Sequence, residues 1–482
     1  MSIGRFRGSR DWAGRVPDDR AGRVPNGRAG RSRGSAARAG RGVRVTLVSR
    51  IFLPEPSAAS FRLAALVRAL ADDGARVDVL TTAPGPGVER GDGAPSPGLP
   101  ARVRRAPVLR DGSGYVRGYL PYLSFDVPLA WRLLRTRRPD VVVVEPPPTT
   151  GAVVRAVCAL RRIPYVYYAA DVWSDASAST GAPAVVVRVV RAMERFALRG
   201  AAAVLSVNDG VTDRVRELGA GEVVTVGNGV DTGIFHRGAP ATPDSPHPAP
   251  DSPHPAPDSP HPAPADDRLS TETASEGRRF GTPMSIGYSD DRAAGIPAVP
   301  FLLYAGTASE WQGAEIFARA MARVLAELPD AKLVYLGQGS SWPALRALAA
   351  DLPTGAIELH DPVDAATSAI WQRAARAAVV SLKPGIGYDF AMPTKMFAAL
   401  ACGTPVTFAG VGPAADLIAE KSLGRATGYD AGEVAEAMIA ALRTRPTDDD
   451  RDRLAAWVAE HRSLAAVGHR SAAAITAAAR TG

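Results

Sequence analysis

Hydrophobic positions along this chain fall into short, evenly spaced runs that predict two stretches of alternating strand and helix. Residues 43–49 alternate Val, Arg, Val, Thr, Leu, Val and Ser and read as a strand. Phe61, Leu63, Leu66, Val67 and Leu70 recur at helical spacing, Gly74 closes that helix, and 76–80 is the next strand. This is a βαβ unit. A Gly/Pro loop over 83–98 leads to a third strand–helix pair. Apolar runs over 140–144, 164–168 and 201–207 read as strands buried on both faces, and 223–226 as a shorter one. A second series begins at 301–306 and continues with strands over 331–336, 357–360 and 377–382. Helical spacing separates them over 314–328, 342–349 and 365–375. After a Gly-containing loop, residues 394–401 read as a helix, a further strand begins near Val406, and the pattern from 431 to the end is helical. The predicted fold class is α/β, with two doubly wound, Rossmann-like domains facing across a cleft. Ligands in such sheets bind beyond the C-terminal ends of the strands.

Two stretches break the pattern. Residues 1–42 contain a near-repeat of eight residues and almost nothing apolar to bury, so they are expected to be a disordered arginine-rich tail. Residues 238–299 carry Pro-Asp-Ser-Pro-His-Pro-Ala three times at a spacing of seven and read as an extended, solvated insert or linker. Its His247, His254 and His261 have no Cys or carboxylate pattern beside them, and no metal is expected. The resulting divisions are a tail over 1–42, domains over 43–237 and 300–445, the insert over 238–299, and closing helices over 446–482.

Charge changes the picture once it is located. The net charge is +8, but residues 1–44 alone hold twelve Arg against three Asp, so the folded body is close to neutral. A body built to bind nucleic acid specifically is therefore not expected. Cys158 and Cys402 lie in apolar segments and read as buried free thiols of a reducing compartment. No apolar run reaches the roughly 18–20 residues that span a membrane. The N-terminus also lacks the apolar stretch of a secretory signal. The expected location is cytoplasmic, with peripheral contact at the inner face of the membrane left open.

Candidate chemistry clusters at strand ends. The turn after the first strand holds Ser57 and Ser60, with Ser60 expected to cap the helix and Arg62 in its first turn. It lacks the Gly-x-Gly-x-x-Gly fingerprint of a dinucleotide site. Asp171, Trp173 and Asp175 follow the strand at 164–168, where an indole can stack on a sugar ring and carboxylates can accept its hydroxyls. Asn208 occupies the same place after the next strand. Gly227-Asn228-Gly229-Val230-Asp231 reads as a turn before the linker, capped by Asp231. In the second half, Gly306 and Thr307 are candidates to cradle a phosphate, and Gly337 and Gly339 form a similar loop where a base can stack. The most informative stretch is Pro393-Thr394-Lys395-Met396-Phe397. A lysine in a helix's first turn opposes the helix dipole, and an anion beside Thr394 and Lys395 relieves the conflict.

These landmarks resemble those of the retaining GT-B glycosyltransferases of family 4, especially bacterial enzymes of surface-polysaccharide and glycolipid assembly. The resemblance rests on 54–71, 170–175, 227–235, 304–313 and 393–406. It implies transfer of a sugar, of hexosyl or N-acetylhexosaminyl type, from a UDP- or GDP-sugar to a hydroxyl of a glycan, lipid-linked or small-molecule acceptor, with retention. No metal is called for. The C-terminal domain would bind the donor and the N-terminal domain the acceptor, with the last helices crossing back onto the first domain. Asp171 and Lys395 would be the catalytic residues. Gly306, Thr307, Gly337, Gly339, Asp389, Thr394 and Lys395 would hold the donor, and Ser57, Ser60, Arg62, Trp173, Asp175 and Asn208 the acceptor.

Two positions depart from the family. Ala398 stands where many members place a glutamate on the donor ribose, and a charged hydrogen bond of roughly 1.5–3 kcal/mol corresponds to about ten- to a hundredfold in binding. Gln312 stands where a lysine is common, and Asp389 is the candidate to compensate. These departures keep two alternatives open: a non-catalytic GT-B scaffold protein and a nucleotide-sugar epimerase. The epimerase needs a histidine or carboxylate acid–base pair in the cleft, and His360 is the only histidine of the second sheet.

Overall fold

Two parallel sheets, each wound from its middle outwards, organise the chain in this computed structural model, which describes residues 42–55, 57–85, 99–111, 116, 118–179, 182–238, 295–386 and 388–481. The predicted tail and most of the predicted insert lie outside the described residues. The first sheet contains β1 (Arg44–Val48), β2 (Arg76–Thr82), β3 (Ala101–Ala106), β4 (Val141–Val144), β5 (Tyr165–Ala169), β6 (Ala203–Ser206) and β7 (Val223–Thr225). Its order is β3-β2-β1-β4-β5-β6-β7, and every pairing is parallel. The chain runs to one edge, returns, and continues from β4 to the other edge, so the switch point lies between β1 and β4.

The second sheet repeats this plan. It contains β8 (Phe301–Ala305), β9 (Lys332–Leu336), β10 (Ile357–His360), β11 (Ala377–Ser381), β12 (Val406–Ala409) and β13 (Gly424–Thr427), in the order β10-β9-β8-β11-β12-β13. Its switch point lies between β8 and β11. Strands such as β4 and β11 are buried along their whole length because helices cover both faces.

The first sheet is covered by α1 (Ala58–Asp72), α2 (Tyr119–Arg135), α3 (Pro148–Arg161), α4 (Trp173–Ser179), α5 (Ala184–Arg199) and α6 (Asp209–Glu217). The second carries α7 (Glu315–Glu327), α8 (Trp342–Ala350), α9 (Ala365–Ala374), α10 (Thr394–Ala401), α11 (Pro413–Glu420), α12 (Ala431–Arg443) and α13 (Asp448–His461), and α14 (Leu464–Thr481) ends the chain. Cys158 and Cys402 are buried and unpaired, and burial pushes both thiols up to about 12, so they act as packing groups.

The closing helices divide their allegiance. Leu454 and Val458 of α13 pack with Phe397 and Leu400 of α10 in the second half. Val467 and Ile475 of α14 belong instead to the core under the first sheet, against α1. The return to the first half therefore comes at 462–464, later than the boundary at 446 drawn from the sequence. The segment at Gly227–Asp231 runs beside this return. Val230 N donates to Arg462 O at 2.8 Å, and Leu464 N donates to Val230 O at 2.8 Å. Arg470 Nη2 donates to Val226 O at 2.9 Å. Gly227-Asn228-Gly229 is thus one side of a two-stranded crossing, and a Cβ on Gly227 would lie 2.4 Å from Arg462 Nη1. As read from the sequence, Asp231 caps its own turn, accepting from Gly233 N at 2.9 Å.

If α14 is an integral layer of the first core, Ile475→Ala should lower stability by about 2–5 kcal/mol, the cost of emptying a fully buried aliphatic site. A denaturant midpoint unchanged by this substitution would show that α14 does not dock on α1.

Candidate functional site

Lys395 is in the first turn of α10, next to the end of β8. Its Nζ donates to Tyr304 Oη at 2.7 Å and to Thr307 O at 2.8 Å. The ammonium also sits 4.0 Å from the centroid of the Tyr304 ring. Among the described residues it has no ion-pair partner. Lys395 is half-buried, and the resulting desolvation lowers its pKa from 10.5 to about 7. Thr394 beside it is exposed, and no side chain caps α10 at Pro393. The first N–H groups of α10 therefore lack a capping side chain beside a cation whose pKa burial lowers.

The loops that carry this arrangement are held by glycines. Gly306 has φ +116, and a Cβ there would touch Lys395 Cε at 3.7 Å. Gly337 and Gly339 permit the neighbouring loop to press against it, because a Cβ on either would fall 2.3 Å from Gly306 O or 2.1 Å from Ala308 O. Gly306 N and Ala308 N donate to Leu336 O and Gln338 O, both at 2.8 Å. These two N–H groups are already used, contrary to the expectation of an open backbone cradle, and what remains at this loop is Thr307 and the lysine above it. Gln312 is turned inward. It is buried, and its Oε1 accepts from Ser309 N at 3.1 Å and lies 3.2 Å from Tyr304 Oη. It shapes the loop and orients the tyrosine that holds Lys395.

Asp389 accepts from Gly385 N at 3.1 Å and closes its own loop. The next residue, Phe390, reaches the first half of the molecule, where a Cβ on Gly210 of α6 would lie 2.3 Å from Phe390 Cβ. Ala398, one turn along α10 from Lys395, packs against the core of the second sheet. His360 Nε2 is 3.2 Å from Glu358 Oε2, and its ring lies 5.1 Å from that of Trp371, so it is committed at the edge strand. Among the described residues, no group of three or more His, Cys, Asp or Glu side chains could hold a metal ion.

At the switch point of the first sheet, Glu145 follows β4. It forms a buried ion pair with Arg62 and accepts from Ser49 Oγ at 2.9 Å. Arg62 lies over the Tyr168 ring. Asp171 stands exposed at the end of β5 without a hydrogen-bond partner among the described residues. Dense surroundings raise its pKa, opposed by Arg62 and reinforced by Glu145. It remains available to accept from a hydroxyl.

Other predicted acceptor residues are engaged elsewhere. Ser57, not Ser60, caps α1 by accepting from Ser60 N at 3.1 Å, and Ser60 is fully buried with its hydroxyl 3.0 Å from Ser57 Oγ. Asp175 is bound by Arg214 through Nε at 2.6 Å and Nη2 at 2.9 Å. Asn208 caps α6 by accepting from Val211 N at 2.8 Å. Trp173 remains available. Buried Glu194 fixes it by accepting from the backbone N–H groups of Trp173 and Ser174 at 2.8 and 3.0 Å.

The sequence reading did not single out Glu145, Arg50, Tyr122 or Tyr304. Arg50 and Glu145 each follow within two residues of a central strand, at positions that face the switch point in this topology, which was the available signal.

A family model described as "Glycosyl transferase 4-like domain" matches residues 57–229, and one described as "Glycosyl transferases group 1" matches residues 299–444. Among the curated proteins none matches. Among solved structures the chain is similar to HepE from Anabaena in complex with UDP-glucose, at 13% identity and a TM-score of 0.56, covering 90% of this chain and 99% of that one. It is also similar to WaaG, a glycosyltransferase involved in lipopolysaccharide biosynthesis, at 15% identity, a TM-score of 0.56 and coverage of 90% and 99%. A glycosyltransferase from Rickettsia africae gives 11% identity, a TM-score of 0.59 and coverage of 91% and 99%.

Because Arg62 is nearly buried, Glu145→Ala leaves a charge without its partner and should destabilise the protein by about 3–5 kcal/mol in chemical denaturation. A loss below about 1 kcal/mol would show that the pair is solvated in solution.

Proposed function

The chain belongs to the GT-B glycosyltransferases of family 4, which transfer a sugar from a nucleoside-diphosphate donor to an acceptor, and from that premise we infer that Lys395 receives the leaving diphosphate. The second half (300–445) is then the donor half and the first (43–237) the acceptor half. The observation that carries this reading is the ammonium at the switch point of the second sheet, lacking a carboxylate partner among the described residues and set beside an uncapped helix start.

As the bond between sugar and phosphate lengthens, negative charge grows on the diphosphate. Fixed donors aimed at that position lower the barrier because they need no reorganisation. Lys395 and the first N–H groups of α10 are such donors. Near pH 7 the lysine of the free protein is partly discharged. An arriving diphosphate raises its pKa, so the positive charge is fully developed when the leaving group needs it. Asp171 is the carboxylate that orients the attacking hydroxyl, and Trp173 offers a stacking face for an acceptor sugar. The donor sugar is a hexose or N-acetylhexosamine, and the UDP-glucose complex of the Anabaena protein makes UDP-glucose the first donor to test.

The acceptor half also carries a surface suited to a membrane. Leu120, Leu123, Val127 and Trp131 of α2 are each more than half exposed, as are Leu160 at the end of α3 and Val185 and Val189 of α5. The carboxylates of α2 and α5, Asp126 and Glu194, are buried, and α3 has none. Arg135, Arg188, Arg195 and Arg199 remain on the exposed side. An apolar stripe whose own helices expose arginines and, among the described residues, no carboxylate matches an anionic bilayer surface and supports peripheral binding at the inner face of the membrane. Among the described residues no helix is long and apolar enough to cross a membrane.

Ala398 favours a second reading, a scaffold that keeps the fold without gripping a donor, and one measurement separates the two. Lys395→Met should weaken UDP binding about ten- to a hundredfold in calorimetry, the equivalent of one charged hydrogen bond, and abolish hydrolysis or transfer of UDP-glucose. Absence of UDP and GDP binding to the unaltered protein at millimolar ligand would support the scaffold instead.

A further inference from the structure

The turn at Gly227–Asp231 stands out in the sequence and takes no part in the donor or acceptor site, yet two half-buried arginines converge on it. Arg462 follows the end of α13, and Arg470 lies on α14. A Cβ on Gly227 would collide with Arg462 Nη1 and lie 3.7 Å from Arg470 Nη2. Arg470 is anchored: Nε and Nη2 donate to Val226 O at 3.1 and 2.9 Å, and Nη2 donates to His461 O at 2.8 Å. Arg462 is not anchored. Among the described residues its guanidinium makes no hydrogen bond and no ion pair, and its Nε is buried without a partner. Burial and the charge of Arg470 lower its pKa, and Asp209, too far away for an ion pair, only partly offsets this.

The turn adds donors of its own. Asn228 N and Gly229 N make no hydrogen bond among the described residues, and both residues are half-buried. Gly227 has φ +87, a turn conformation in which successive N–H groups can converge on an anion. Two guanidinium groups this close repel one another. An oxyanion between them turns that repulsion into attraction, and the free fork of Arg462 matches two oxygens of a phosphate.

This place is distinct from the donor site. Arg462 lies 5.4 Å from the centroid of the Phe397 ring. Phe397 is two residues past Lys395, about 200° further around α10, so Arg462 covers the face of that helix opposite the lysine. The elements that meet here come from both halves. The turn follows β7, α13 packs on α10, and α14 packs on α1.

We propose that Arg462, Arg470 and the Gly227–Gly229 turn form an oxyanion site, separate from the donor site, that takes inorganic phosphate and fastens the crossing between the two halves. A nucleotide's phosphate has the same chemistry, and the experiment separates the two sources.

The test uses the full chain in phosphate-free buffer, with inorganic phosphate as the probe and sodium chloride at matched ionic strength as the control. Calorimetry should show saturable phosphate binding that survives in Lys395→Met, and phosphate should raise the thermal midpoint where chloride does not. Arg462→Gln should weaken phosphate binding about tenfold or more, the equivalent of one charged hydrogen bond, and abolish the thermal shift. Arg462→Lys keeps the charge without the fork and should also bind phosphate more weakly than the unaltered protein. Without phosphate, Arg462→Gln should be at least as stable as the unaltered protein, because the repulsion from Arg470 is relieved. Stability lowered equally with and without phosphate would make Arg462 a structural residue and overturn the proposal. Equal stabilisation by chloride, phosphate binding lost in Lys395→Met, or phosphate affinity unaltered in Arg462→Gln would overturn it too. UDP affinity should be unchanged in Arg462→Gln; a loss matching that of phosphate would assign Arg462 to the nucleotide and remove the separate site.

Discussion

A single ammonium group, partly withdrawn from water and without an ion-pair partner among the described residues, is the constraint around which the second half of this protein is arranged. An isolated buried cation is costly, and an ordinary core would neutralise or exclude it. Here the π-face and hydroxyl of Tyr304 and the carbonyl of Thr307 hold Lys395 in place without cancelling its charge. The surrounding loops exist to make that geometry possible. Gly337 and Gly339 let one strand-end loop press against the next, and Gln312 pins the tyrosine from behind. Removing the glycines' freedom would move the lysine without touching it.

The two halves use one topology for opposite electrostatic ends. In the second sheet the switch point presents one cation and an uncapped helix start, a setting for a diphosphate. In the first sheet the switch point has its charge balanced by the Arg62–Glu145 pair, with Asp171 exposed at the end of β5. The helices outside it carry apolar and cationic residues together. The chain joins the halves twice side by side, at Val230 and Ser463, and Phe390 touches α6 at Gly210. These contacts are where relative motion of the halves would be felt.

Much of the fold was legible in the hydrophobic pattern because buried parallel strands and their covering helices leave strong periodic signals. The strands at 140–144 and 377–382 and the helix opening at Thr394 fall where their apolar runs predicted. Less legible was whatever depends on partners distant in sequence. Ser60, Asp175 and Asn208 were reasonable ligands for a sugar, yet each lies within reach of a nearer protein group: Ser57, Arg214 and the start of α6. The open backbone cradle expected at Gly306 was closed by the neighbouring strand's loop, a pairing that local sequence does not specify. Lys395 was visible because its conflict with the helix dipole is local. Arg50 and Glu145 were not, since their meaning comes from β1 and β4 becoming neighbours only in the folded sheet.

The central claim is that Lys395 is held near its point of discharge and recharged by the donor. Titrating its side-chain resonances by NMR, in free protein and with saturating UDP, tests this directly. The account requires a pKa near 7 in the free protein, as desolvation implies, rising well above it when UDP binds. An ordinary value near 10.5 in the free protein, or a lowered value that UDP leaves unmoved, would contradict it.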